Sequence, residues 1–124
     1  MGKTVLLFEG GKSYELNPTI INEGVNGTRN VLIHLGLIKG EITVREKPIF
    51  VKKSKWIRAS DSGMLKVMVF NGTFVKKRDV LGIVQDPFGE FKKKISPFNG
   101  FVFCINKTPI VNKGDALFHL SIEN

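Results

Sequence analysis

The sequence predicts a mainly β protein with one helix, in which a duplicated β domain follows a short strand and a helix. Three observations predict this fold class. An apolar run near the start lacks helical periodicity, the stretch after Asn17 has it, and the second half of the chain repeats one pattern twice. We therefore assign residues 1–40 to a piece made of a strand and a helix, and residues 41–124 to the duplicated β domain.

The first signal along the chain is that of a strand. Residues 3–8, Lys-Thr-Val-Leu-Leu-Phe, form a short apolar run bounded by a glycine pair, which is typical of a buried strand. A core strand that starts almost at Met1 indicates that the chain was cut from a longer polypeptide.

The second signal is that of a helix. Asn17 followed by Pro18 is a helix entry, because the Asn side chain caps free amides and proline needs no amide donor at the first helical position. Apolar residues then recur at helical spacing, so we predict a helix over residues 18–35 that ends at Gly36. Gly24 and Gly27 are expected to weaken the middle of this helix, and both an unbroken helix and a break near Gly27 remain open.

A pattern that occurs twice between residues 62 and 120 is the most informative feature of the sequence. Each copy has a glycine, an apolar run, a turn and the order Val-x-x-x-Asp-x-Leu. The copies begin at Gly63 and Gly100 and end at Leu81 and Leu117. A unit this short cannot bury its own apolar face, so we expect both copies to pack about a pseudo-two-fold axis. Such packing is typical of a barrel-sandwich hybrid, the fold of lipoyl and biotinyl domains.

Two turns are predicted within the duplicated region. The dipeptide at residues 71–72, Asn-Gly, is a strong β-hairpin signal, and residues 86–89, Asp-Pro-Phe-Gly, form a second turn. Lipoyl and biotinyl carriers attach their cofactor to a lysine at the hairpin between their halves, whereas the lysines at residues 92–94 come after the turn. We therefore interpret these lysines as a solvated strand face. A carrier or adaptor module without catalysis remains the alternative function.

The composition limits the classes of partner. The 19 basic and 11 acidic residues give a net charge of +8, but the basic clusters are not interleaved with aromatic residues, so we predict no nucleic-acid partner. The only cysteine, Cys104, excludes an internal disulfide and is expected to be buried and inert. The sequence shows no signal peptide and no apolar run of membrane-spanning length, so we expect a cytoplasmic protein without a membrane partner.

Several short motifs, in this order along the chain, resemble the C-terminal part of the succinylglutamate desuccinylase/aspartoacylase family. The motifs are residues 9–11, 31–36, 58–64, 86–90, 96–100 and 109–117. The resemblance covers nearly the whole chain. It implies that the first strand and helix are a remnant of an α/β catalytic domain. It also implies that the parent protein is a zinc-dependent deacylase, which hydrolyses the amide of an N-acyl amino acid or a similar small acid.

The resemblance also implies a role for Glu9. In the family, a Glu in an E-x-G motif is the general base on zinc-bound water, and Glu9 with Gly11 matches that motif. The family's zinc ligands come from a His-x-x-Glu motif and a distant His, all upstream, and neither His34 nor His119 has such a partner. We therefore predict zinc in the parent protein only, with no metal site and no hydrolysis in this fragment alone.

The partners follow from the same resemblance. The expected substrate is a small acidic N-acyl compound, and the β domain is expected to shape access to it or to mediate association. The apolar surface of residues 1–36 is expected to lead either to dimerisation, and so to a homo-oligomer, or to disorder of this part of the chain.

Overall fold

A computed structural model describes residues 2–12, 14–44, 47–89 and 91–123. The described residues form one helix and eight strands, which confirms the mainly β class with one helix. The elements are α1 Pro18–His34, β1 Ser54–Arg58, β2 Gly63–Val67, β3 Phe74–Val75, β4 Val80–Gln85, β5 Phe91–Ile95, β6 Gly100–Ile105, β7 Ile110–Val111 and β8 Ala116–Ser121. The chain divides into unit 1, residues 1–48, and unit 2, residues 49–124.

The start of α1 has the cap that the sequence predicts. The Oδ1 atom of Asn17 accepts the backbone N–H groups of Thr19 at 3.0 Å and Ile20 at 3.3 Å, and Pro18 occupies the first helical position. The helix has 17 residues. Within the described part of the chain, no helix is both long enough and apolar enough to cross a membrane.

The end of α1 is a pair of backbone hydrogen bonds around a left-handed glycine. Gly36 has φ +70°, and its N–H donates to the Ile33 carbonyl at 2.9 Å. The N–H of Leu37 donates to the Leu32 carbonyl at 2.9 Å, which completes the Schellman arrangement. The predicted helix span is therefore confirmed to within one residue. The helix continues without a break through Gly27, so of the two alternatives the unbroken helix is the one that forms.

The predicted strand at residues 3–8 is wrong, because this segment forms no strand. The described residues of unit 1 contain no strand with which this segment could pair. An extended segment forms a strand only when a neighbouring strand satisfies the hydrogen bonds of its backbone. Val5 and Leu7 are each 84% exposed. The ring of Phe8 instead lies on Gly24 of α1, where a β-carbon would come within 2.9 Å of the ring. The interpretation of unit 1 as a catalytic-domain remnant stays a prediction.

Unit 2 consists of two four-stranded antiparallel sheets. Sheet 1 has the strand order β1-β8-β6-β3, and sheet 2 has the order β5-β4-β2-β7. Both sheets contain strands from both copies of the repeat, because β3 pairs with β6 and β7 pairs with β2. The core lies between the sheets and contains the buried residues Ala59, Val75, Leu81, Val84, Val102, Val111, Leu117, Phe118 and Leu120.

The two sheets are related by the repeat. When β2, β3, β4 and β5 are exchanged with β6, β7, β8 and β1, respectively, the order of sheet 2 becomes the order of sheet 1. The registers agree as well, since Gly63 pairs with Val111 and Gly100 pairs with Val75. The pseudo-two-fold relation expected from the sequence is therefore present in the strand pairing. It begins earlier than the sequence pattern indicated, because β1 at Ser54 is the counterpart of β5.

The repeated Val-x-x-x-Asp pattern forms the same turn in both copies. The carboxylate of Asp79 accepts the N–H of Lys76 at 2.8 Å, and the carboxylate of Asp115 accepts the N–H of Asn112 at 2.8 Å. The residue before each aspartate has a left-handed backbone, with φ +96° at a glycine in the second copy and φ +79° at Arg78 in the first. The backbone of the first copy is therefore strained at Arg78, whereas the glycine of the second copy adopts the same conformation without strain.

Opposite effects are expected from two substitutions at this repeated turn position. Arg78→Gly should raise the free energy of unfolding of unit 2 by about 0.5 kcal/mol, because relief of left-handed strain outweighs the entropy cost of glycine. Gly114→Ala should lower it by about 1 kcal/mol. Urea unfolding followed by the fluorescence of Trp56, the only tryptophan, measures both. Destabilisation by Arg78→Gly would contradict the strain at this turn.

The two predicted turns have different outcomes. Residues 71–72 do form a turn, with Gly72 at φ +87°, but it joins β2 in sheet 2 to β3 in sheet 1. The predicted hairpin is therefore wrong, because the flanking strands do not pair with each other. The predicted turn at residues 86–89 is confirmed, with Asp86 Oδ1 accepting the N–H of Phe88 at 2.9 Å, and it joins β4 and β5 as a hairpin because these strands pair.

Candidate functional site

Glu9 is exposed and lies in the segment that precedes α1. The glycines that follow it let this segment approach the helix. At Gly10, a β-carbon would come within 2.7 Å of Ile20 Cγ2, and Gly11 has φ +87°. The glycine pair therefore positions the backbone that carries Glu9 beside α1. The role of Glu9 as a general base stays a prediction.

The residues present do not fit a zinc centre. Across the described ranges, no group of three His, Cys, Asp or Glu side chains could hold a metal ion. His34 is in the last turn of α1 in unit 1, whereas His119 is in β8 of unit 2. A catalytic zinc usually has three protein ligands. A zinc centre would therefore need ligands beyond the residues described.

His119 belongs to a row of aromatic side chains on sheet 1. Its ring stacks on Trp56 with centroids 4.3 Å apart at 13°, and it contacts Phe103 at 4.3 Å. Its Nε2 atom is 3.0 Å from Ser54 Oγ. Burial lowers the pKa of His119, because the neighbouring groups exclude water from the charged imidazole. Cys104 lies opposite His119 in the register and is half-buried, so it is less buried than the sequence predicted.

Four side chains on β5 and the β1–β2 loop form a polar cluster that the sequence analysis missed. Lys94 Nζ donates to Ser60 Oγ, Ser60 Oγ donates to Asp61 Oδ2, and Lys92 Nζ lies 2.7 Å from Asp61 Oδ1. Lys94 is only 7% exposed. The prediction that residues 92–94 form a solvated strand face is therefore wrong for Lys94.

The polar cluster shifts the pKa of two of its members. Hydrogen bonds from Lys92 and Ser60 lower the pKa of Asp61, so this carboxylate is ionised at neutral pH. Burial lowers the pKa of Lys94, because the loss of hydration disfavours the ammonium more than the charge of Asp61 favours it. The cluster thus holds two amines around one firmly ionised carboxylate.

The counterpart of the polar cluster in the other copy is apolar. Lys94 corresponds to Ile57 and Asp61 to Phe98, each pair 37 residues apart. Both Ile57 and Phe98 pack against the hydrophobic core. The two-sheet framework therefore accepts apolar side chains at these positions and does not need charges there. Extending the repeat comparison to the residues before Gly63 would have revealed this difference from the sequence.

No protein-family model matches the sequence, and no curated protein matches it. Solved structures do have a similar fold. The succinylglutamate desuccinylase/aspartoacylase from Rhodobacter sphaeroides is 19% identical with a TM-score of 0.76, over 89% of this chain and 37% of that chain. The product-bound ectoine utilization protein EutE (DoeB) from Ruegeria pomeroyi is 22% identical with a TM-score of 0.74, over 88% of this chain and 35% of that chain.

A third similar structure is a succinylglutamate desuccinylase/aspartoacylase family protein from Shewanella amazonensis. It is 20% identical with a TM-score of 0.72, over 86% of this chain and 32% of that chain. This chain therefore spans about a third of the length of the proteins it matches. The resemblance predicted from the ordered motifs is confirmed at the level of the fold: over most of its length, the chain folds like part of a succinylglutamate desuccinylase/aspartoacylase family protein.

Proposed function

We propose that this chain is the C-terminal portion of a zinc-dependent deacylase that hydrolyses the amide of an N-acyl amino acid or a similar small acid. The observation that carries this proposal is the extent of the structural similarity. The match covers 89% of the chain against the protein from Rhodobacter sphaeroides, so it includes residues from both units. The names of two similar proteins specify removal of an acyl group, which supports the same reaction class here.

Glu9 is the proposed general base of this reaction. Its carboxylate is exposed, and the two glycines after it seat its backbone beside α1. A carboxylate within hydrogen-bond reach of a water molecule accepts its proton and can return it to the leaving nitrogen. The zinc ion and its ligands are assigned to the part of the protein outside this chain, because the described residues do not fit a zinc centre.

Unit 2 is the proposed substrate-access or association domain, with a barrel-sandwich hybrid architecture. The two sheets that exchange strands between repeat copies support this architecture. The net charge of +8 supports an acidic small-molecule substrate, because a surplus of positive charge raises its local concentration. A cytoplasmic location, self-association and the absence of nucleic-acid or membrane partners belong to the same proposal.

The test uses the complete reading frame that contains this sequence. We expect it to continue upstream into a His-x-x-Glu segment and the encoded protein to bind zinc. The protein should hydrolyse a member of a panel of N-acetyl and N-succinyl amino acids, with kcat/KM falling as salt increases. No hydrolysis of any member by the zinc-loaded protein would contradict the proposal. A fixed mass increase on a lysine, seen by mass spectrometry of protein from cells, would instead support the carrier alternative.

A further inference from the structure

We propose that the outer face of sheet 1 is a self-association surface, which binds the same face of a second copy of this chain. Ring side chains from all four strands of the sheet lie on this face. They are Trp56 in β1, His119 in β8, Phe101 and Phe103 in β6, and Phe74 in β3, and together they form the aromatic face. An antiparallel sheet usually presents polar side chains on the side away from its core. A contiguous apolar surface in that place marks an interaction site.

The rings of the aromatic face contact one another across the strands. The ring centroids of Trp56 and Phe103 each lie 4.3 Å from that of His119, and the centroid of Phe74 lies 5.0 Å from that of Phe101. None of the five side chains belongs to the hydrophobic core, and Phe74 is 60% exposed. Side chains that neighbouring rings already hold lose less conformational entropy when a partner covers them. The aromatic face is therefore preorganised for binding.

The repeat shows that the fold does not require these aromatic side chains. Trp56 corresponds to Lys93 in β5, and Phe103 corresponds to Lys66 in β2, each pair 37 residues apart. Both lysines pair with Ile83 in the register of sheet 2, and both are exposed. The framework thus accepts charged, solvated side chains at the positions where sheet 1 has rings. The aromatic character belongs to one sheet only and needs a reason other than folding.

The distribution of charge favours a second copy of the chain as the partner. Unit 2 contains 13 basic and 6 acidic residues, so its net charge is +7. A symmetric dimer brings one surface against itself, and like charges brought together oppose binding. The outer face of sheet 2 would bring lysines toward lysines in this way. The aromatic face has no charged member, and its neighbours Ser54 and Cys104 are uncharged side chains as well. Arg58, at the end of β1, donates to the Gly114 carbonyl at 2.9 Å.

The aromatic face is too small for a permanent dimer. Four strands about 4.8 Å apart, with about five residues of about 3.4 Å each, give a flat area of roughly 300 Å². A stable interface usually buries about 800 Å² on each partner. We therefore expect a weak, reversible dimer with a dissociation constant of about 10⁻⁵–10⁻³ M. This inference rests on the self-association within the proposed function, but not on hydrolysis.

The test measures the association of the 124-residue chain between about 10⁻⁵ and 10⁻³ M, by sedimentation equilibrium and ¹H–¹⁵N correlation spectra. The average mass should rise with concentration. The indole N–H signal of Trp56, the only tryptophan, should shift in step with the mass. Added salt should strengthen the association, because it screens the repulsion between two positively charged units.

Phe74→Lys and Ile110→Lys are a matched pair of variants. Phe74 on sheet 1 is 60% exposed, and its counterpart Ile110 on sheet 2, 36 residues later, is 68% exposed. Each substitution adds one charge at an equivalent strand position. Phe74→Lys should raise the dissociation constant at least about tenfold, whereas Ile110→Lys should change it less than about threefold. Phe103→Lys is a second variant with the first effect, and the fold should accept it because its counterpart is Lys66.

The aromatic face is excluded as the interface if the chain stays monomeric up to about 10⁻³ M, or if Phe74→Lys and Ile110→Lys weaken association equally. Leu7→Lys changes an 84% exposed residue of unit 1 and tests the other apolar surface. If Leu7→Lys abolishes association and Phe74→Lys does not, unit 1 is the interface. Self-association would then stand without the aromatic face. A full-length protein that deacylates no member of its panel would leave this inference unaffected.

Discussion

Glu9→Gln is expected to lower kcat of the full-length protein by about 10²–10⁴-fold on its best N-acyl substrate. The amide of glutamine has the size of the carboxylate but cannot accept the proton of the attacking water. Substrate binding does not use this proton transfer, so KM should change little. Steady-state kinetics with equal zinc content in both proteins measure the effect.

Glu23→Gln is the matched control for this substitution. Glu23 is an exposed residue of α1 in the same unit, so the kcat of the Glu23→Gln protein should stay within about twofold of that of the unchanged protein. If the Glu9→Gln protein is as active as the unchanged protein, Glu9 is not the general base. Equal loss in both variants would show that unit 1 does not tolerate the change, and the kinetic assignment of Glu9 would then fail as well.

Phe118→Ala is expected to lower the free energy of unfolding of unit 2 by about 3–5 kcal/mol. The ring is 0% exposed and lies in the core between the two sheets, so its removal leaves a cavity. Phe88→Ala is the control, because Phe88 is 100% exposed in the β4–β5 turn and should change stability by less than about 0.5 kcal/mol. Urea unfolding measures both, and similar small effects would contradict the core assignment.

The position of the Phe118 ring depends on Gly82, its counterpart 36 residues earlier. A β-carbon at Gly82 would come within 2.8 Å of Phe118 Cζ and 2.9 Å of the Lys66 carbonyl oxygen. Gly82→Ala should therefore destabilise unit 2, and by about 1 kcal/mol less once Phe118→Ala has removed the ring. Strictly additive effects would show that ring and glycine do not share this space.

The pair also explains why a duplicated sequence is not symmetric here. Two large side chains at equivalent positions would compete for the same part of a core shared by both copies. One copy therefore carries the ring and the other carries glycine. Outside the core the copies also differ, since Asp61 and Asp86 have apolar counterparts. The repeat supplies the framework, and its departures from symmetry mark the places where packing or polar contacts differ.

Features set by neighbours in sequence were predicted well. The cap at Asn17 and the left-handed Gly36 each act within one turn of backbone, so their residue types predicted the bounds of α1. The turn at Asp86 is equally local. Residues 3–8 were predicted wrongly for the opposite reason. Their apolar pattern favours a strand, but a strand also needs a partner, and a local pattern does not contain one.

The sequence by itself determined the helix with its caps and the duplication, because each depends on residues close together or on direct comparison of two copies. Only the tertiary structure decided that β2 and β3 join different sheets and that Lys94 is buried against Ser60. Those two residues are 34 positions apart, and they meet because β5 lies at the sheet edge beside the loop before β2. Contacts over such separations follow from how strands are paired, and strand pairing is a property of the whole fold.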